Sequence, residues 1–87
     1  MGRICRTAAI QVILDDCRDV SSFDELKSWA ERLSTQLRRE SHPSAWKVKE
    51  LIHSLIDEAA IIQDQVDFNA TGWAHRIVHQ VVDEFNV

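Results

Sequence analysis

Four histidines, two cysteines and fourteen carboxylates are the side chains of this 87-residue sequence that could do chemistry. His75 and His79 stand four apart, and Asp83 lies four further on. On a helix that spacing aims two imidazoles along one face, which is how a helix offers ligands to zinc. The glutamate of an HExxH pattern is missing, and Arg76 adjoins His75 where a cation would be repelled. The pair is therefore read as two flank histidines making ordinary contacts, and neither a metal nor another cofactor is expected.

Cys5, Cys17, His42 and His53 are scattered, with no paired CxxC spacing. Cys17 falls on the apolar side of a first helical pattern, where cysteine behaves as a small core residue. If both cysteines share one helix they are about 18 Å apart, too far to bridge. Reduced thiols, and with them a cytoplasmic protein, are expected. Asp15, Asp16, Asp19, Asp57, Glu58, Asp64, Asp67, Asp83 and Glu84 lack the ExxE patterning of helical di-metal enzymes and read as a solvated face. No catalytic residue is assigned, and the chain is not expected to be an enzyme.

Two groups could recognise a macromolecule. Arg38, Arg39, Lys47 and Lys49, with His42, cluster around one break in the helical pattern and could grip phosphates. Dipole complementation and solubility explain them as well. The second group is apolar. Trp46, Ile61 and Phe68 fall off the main apolar stripe of the segment Ala45–Phe68, mixed with Glu50, His53, Asp57 and Asp64. Tryptophan is enriched at interface hot spots, so Trp46, Ile61, Phe68, Asp57 and Asp64 are the candidate partner-binding residues. Trp29 and Trp73 are helix-edge residues of the same kind.

The elements that must carry these groups are helices. Two glycines and one proline are too few for a sheet protein's turns. Residues 1–6 form a lead-in, and Thr7 caps a helix over 7–18 with Ile10, Ile13, Leu14 and Cys17 inward. Ser22 and Glu25 make a capping box for a helix over 23–41, with Phe23, Leu26, Ala30, Leu33 and Leu37 as its seam. His42-Pro43 stops it. A long helix over 44–68 follows, its inward stripe Val48, Ile52, Leu55, Ala59, Ile62 and Val66. At about 36 Å it spans a compact domain some 30 Å wide. Asn69 or Thr71 caps a last helix over 72–85. The expected fold is all-α: a single four-helix domain with helices 2 and 3 as an antiparallel hairpin.

Net charge is −4, which argues against a general nucleic-acid binder. No apolar run is long enough to cross a membrane, and no targeting segment is expected: the run Ala8–Leu14 is short and interrupted by Gln11. The leading expectation is a non-enzymatic protein–protein interaction protein, a small acidic regulator or inhibitor that covers a partner's surface. Immunity, anti-restriction and anti-CRISPR factors occupy this range of size and charge. A homodimer through the long helix is expected, with His53 as a source of pH sensitivity. The alternative is a nucleic-acid-associated regulator using the basic patch.

Overall fold

A computed structural model describes residues 6–87; Cys5 and all but the last residue of the expected lead-in lie outside them. The described residues form four α-helices and no strand: α1 (Ala8–Asp15), α2 (Phe23–Arg39), α3 (Ala45–Ile62) and α4 (Ala70–Phe85). A 3₁₀ turn over Asp16–Asp19 tightens the end of α1.

The starts of these helices are written in single side chains. The Thr7 hydroxyl accepts from the Ile10 N–H, and the Ser22 hydroxyl accepts from the Glu25 N–H. Glu25 reaches back one residue further than in the usual capping box and accepts from the hydroxyl and N–H of Ser21. Those bonds hold its carboxyl below the ordinary value. At α4 it is Asn69 that caps, accepting from the Gly72 N–H at 3.0 Å. The Thr71 hydroxyl donates instead to the Val20 carbonyl, tying α4 to the end of the 3₁₀ turn.

The end of α2 is closed by backbone. The His42 N–H donates to Leu37 O and the Ser41 N–H to Arg38 O, with Ser41 left-handed at φ 54°. This is a Schellman closure, with serine where glycine is usual. A Cβ there costs free energy that glycine avoids. Ser41→Gly is expected to stabilise the fold by about 0.5–1 kcal/mol, raising the melting midpoint by roughly 3–6 °C. Ser41→Ala should give no such gain, and thermal melts by circular dichroism compare the two.

The helices run alternately up and down. Thr7 donates to Glu40, so α1 starts beside the end of α2. Phe23 at the start of α2 meets Phe68 just before α4, edge to face at 6.4 Å. Ser44 before α3 donates to the Phe85 carbonyl at the end of α4. The upper end therefore holds the α2–α3 connection, the start of α1 and the end of α4. The lower end holds the 3₁₀ turn, the start of α2, the end of α3 and the start of α4. The α2–α3 hairpin is the closest helix pair, and α2 also packs on α1 and α4.

One core runs through all four helices. Ile10, Ile13, Leu14 and Cys17 are buried on the first segment, Leu26, Ala30, Leu33 and Leu37 on α2, Val48, Ile52, Leu55 and Ala59 on α3, and Ala74, Ile77 and Val81 on α4. Trp29 lies deep among them, and its indole N–H donates to the Ile13 carbonyl at 2.6 Å. That carbonyl belongs to the last turn of α1, where intrahelical donors run out.

Three expectations are corrected. The third helix ends at Ile62, not Phe68. Asp64 is a poor continuer and Gln63 and Gln65 offer no apolar side chain to bury, and the chain folds into turns closed by Gln65 N–H to Ile62 O and Phe68 N–H to Gln65 O. The reversal delivers Phe68 onto Phe23. In consequence Val66, assigned to the inward stripe, stands fully exposed at the turn. Finally, the molecule is elongated, 46 × 21 × 20 Å. An 18-residue helix is about 27 Å long, so it does not span the molecule from end to end.

Candidate functional site

The residues singled out for partner binding are only partly brought together. Trp46 and Ile61 are on the open face of α3, 64% and 83% exposed. Asp57 is exposed on the same face, with Glu50 and His53 between it and Trp46. The two apolar residues are fifteen positions apart, about 22 Å along the helix, so they form two separate points. Trp46 is further screened by Lys49, whose ammonium lies 5.2 Å from the ring centroid. Phe68 is not on this face at all: it lies beyond the helix, half-buried against Phe23. Asp64 is exposed but sits on the turn.

The basic group sits at the upper end. Arg38, Arg39 and Lys47 are exposed, while Lys49 is half-buried along Trp46. Glu40 lies among them, accepting from Thr7 and from Gln36. The patch is therefore mixed in sign. Among the described residues the one ion pair is Arg32–Asp16 at 3.0 Å, well away from this end.

The lower end brings together acid runs that stand far apart in the sequence. The acid run Asp15–Asp19 ends in the 3₁₀ turn, and the run Asp57, Glu58, Asp64, Asp67 ends in the turn after α3. Some forty residues separate them in the chain, yet both reach the same end of the bundle because the Val20 carbonyl is bound by Thr71 and Phe23 meets Phe68. Asp24 and Glu25 at the start of α2 join them. Ile61 and Val66 project from this acidic end. Between the turn and α4 lies a groove lined by Ile62, Phe68 and Trp73, with Asp67, Asn69 and Arg76 on its margin. The signal for this surface was present: the residues Gln63–Asp67 hold no strong apolar neighbour for Val66 and break the helical composition.

The histidine and cysteine positions resolve simply. The His75 Nδ1 donates to the Thr71 carbonyl at 2.9 Å, an ordinary i to i−4 contact, and His79 is exposed. Among the described residues no three His, Cys, Asp or Glu side chains come close enough to enclose a metal ion. Cys17 is buried, and burial pushes its thiol above the usual range against the smaller opposing pull of Arg18. That holds it as the unreactive thiol. No described helix is long and apolar enough to cross a membrane.

Comparison with protein-family models, with curated proteins and with solved structures gives no match.

Proposed function

We propose that the chain is a non-enzymatic protein-interaction protein, a small acidic regulator or inhibitor whose lower end covers a basic surface of a partner protein. One observation carries this reading: two acid runs distant in sequence lie at the same end of the bundle, Asp16 alone of them ion-paired among the described residues, with Ile61 and Val66 exposed at that end. Charge there gives orientation and a fast encounter, and the exposed apolar residues supply contact once water is expelled. A partner surface that binds nucleic acid is basic for that purpose. Carboxylates fixed at this end would compete for it. Inhibition of a nucleic-acid-acting enzyme, as in anti-restriction or anti-CRISPR factors, is the role such a surface fits.

The alternative, nucleic-acid binding through Arg38, Arg39, Lys47 and Lys49, has less support, because Glu40 interrupts the patch and Lys49 lies along Trp46. The expected homodimer through α3 has Trp46 and Ile61 in its favour. An antiparallel two-fold pairing that sets Trp46 on Ile61 also sets Glu50 against Asp57 of the other copy. A basic partner meets no such repulsion, so it is placed first.

The test is capture from the native host by the immobilised wild type and by Asp57→Lys/Asp64→Lys, followed by titration of the purified captured protein. The expected partner is basic, binds more weakly as salt rises, and loses about tenfold or more in affinity for the variant. Equal binding of both forms would sink the reading. Capture of nucleic acid that is lost on Arg38→Ala/Arg39→Ala would install the alternative. A 20 kDa species at sedimentation equilibrium, twice the 10.0 kDa chain, that Ile61→Arg dissolves would restore the dimer.

A further inference from the structure

We infer that the groove between the 63–68 turn and the start of α4 takes one large apolar side chain from a protein segment that flanks that side chain with lysine or arginine. This rests on the reading of the lower end as a surface for a basic partner protein, and it names the place and chemistry of the anchor. The groove measures about 360 Å³, at the small end of the range for binding pockets, roughly 300–1,000 Å³. One bulky side chain suits that volume better than an extended ligand.

The groove is formed before any partner arrives. Phe68 is held edge-on by Phe23, and both Phe68 and Trp73 pack against the core. The Arg76 guanidinium lies 5.0 Å from the centre of the Trp73 ring. Gly72 lines the groove as well, and a Cβ there would stand 2.9 Å from the Asn69 amide. Little ordering remains for binding to impose, which favours affinity from a small contact.

The flanking charge follows from what surrounds the groove. Asp64 and Asp67 are exposed on the turn, with Asp57 and Glu58 one to two turns back along α3. The cation on the margin, Arg76, is already placed over Trp73. A partner segment carrying acids would be repelled from the turn, and an apolar segment without cations would leave those carboxylates partly desolvated and unpaired. Val66 of a second copy does not fit, since it stands between Asp64 and Asp67. Trp46 of a second copy, beside Lys47 and Lys49, would fit only in a dimer. A species of twice the chain mass at sedimentation equilibrium that Trp46→Ala dissolves would overturn the separate partner. Val66 itself, beside the groove, offers a second apolar contact.

The probe is a blocked hexapeptide with Leu-Phe at its centre and two lysines on each side, titrated into the ¹⁵N-labelled full chain and followed by NMR. Two control peptides replace Leu-Phe by Ser-Ser, or all lysines by glutamates. Saturable shifts are expected at the Trp73 indole N–H and at residues 64–73, from the first peptide alone. Asp64→Lys/Asp67→Lys should weaken that binding by about tenfold, with an unchanged melting curve. Equal shifts from the Ser-Ser peptide would overturn the anchor. Shifts at Trp46 and along α3 with none at Trp73 would overturn the groove while leaving a basic partner elsewhere on the chain standing. No saturable shift at millimolar peptide would overturn the inference. A captured basic partner that leaves Trp73 undisturbed would sink the groove but not the proposed function.

Discussion

Leu33→Asp is expected to abolish the folded state at neutral pH. Leu33 is completely buried at the middle of the α2 seam. The substitution removes packing worth about 2–5 kcal/mol, as large-to-small core changes do. It also places a carboxylate where no cation or donor waits, at a further cost of several kcal/mol. A chain of this length has a total stability of roughly 4–13 kcal/mol, so the two losses together consume most or all of it. Circular dichroism should show low helicity and no cooperative melt. Leu33→Met, of similar volume, should stay within about 1.5 kcal/mol of the parent. A parental melting curve for the aspartate variant would remove Leu33 from the core.

The second large effect belongs to Trp29. It is nearly inaccessible at 3% exposure, and its indole N–H satisfies the Ile13 carbonyl across the α1–α2 contact. Trp29→Ala is expected to cost about 3–5 kcal/mol. Trp29→Phe keeps most of the ring but leaves a buried carbonyl without its donor, at about 1–3 kcal/mol. The phenylalanine variant separates packing from hydrogen bonding, because its damage should concentrate on α1. Amide exchange over Ala8–Asp15 is expected to quicken more than exchange in the α2–α3 hairpin. Uniform acceleration across all four helices would show that the indole serves the core only as volume.

Much of this fold was legible in the sequence, and the exceptions share a physical pattern. The capping box at Ser22 and the α2 seam each speak through local chemistry and correspond to observed features, whereas α2 ends at Arg39, ahead of Pro43, by the closure at Ser41. The end of α3 was not legible, because Val66 and Phe68 keep the helical period after the helix has stopped. The composition there speaks against the period: Asp64, Asp67 and Asn69 favour a turn. Phe68 is apolar for the sake of Phe23, a contact that only the folded chain reveals. The partner of the Trp29 indole was equally hidden, since it depends on which carbonyl the end of α1 leaves free. For the candidate surface, sequence located the acids but assigned the apolar residues to one helix face, because the period was carried six residues too far.

The alternating up-and-down course of the helices also bears on how the chain reaches its native state. α1 lies on α2, α2 on α3 and α3 on α4, so successive segments meet across short connections, and little chain entropy is lost before each contact forms. The distant closures gather around α4: Thr71 binds the Val20 carbonyl, Phe68 just before α4 meets Phe23, and Ser44 binds the Phe85 carbonyl at its end. Those closures must form across long stretches of chain, at a greater entropic cost than the α2–α3 hairpin. The hairpin of α2 and α3 is the most local of these units, whereas α4 packs on α2 and on the 3₁₀ turn, both far from it in sequence. The acidic end draws on segments that only these long-range contacts join, so the surface proposed for the partner would be complete only in chains in which α4 has docked.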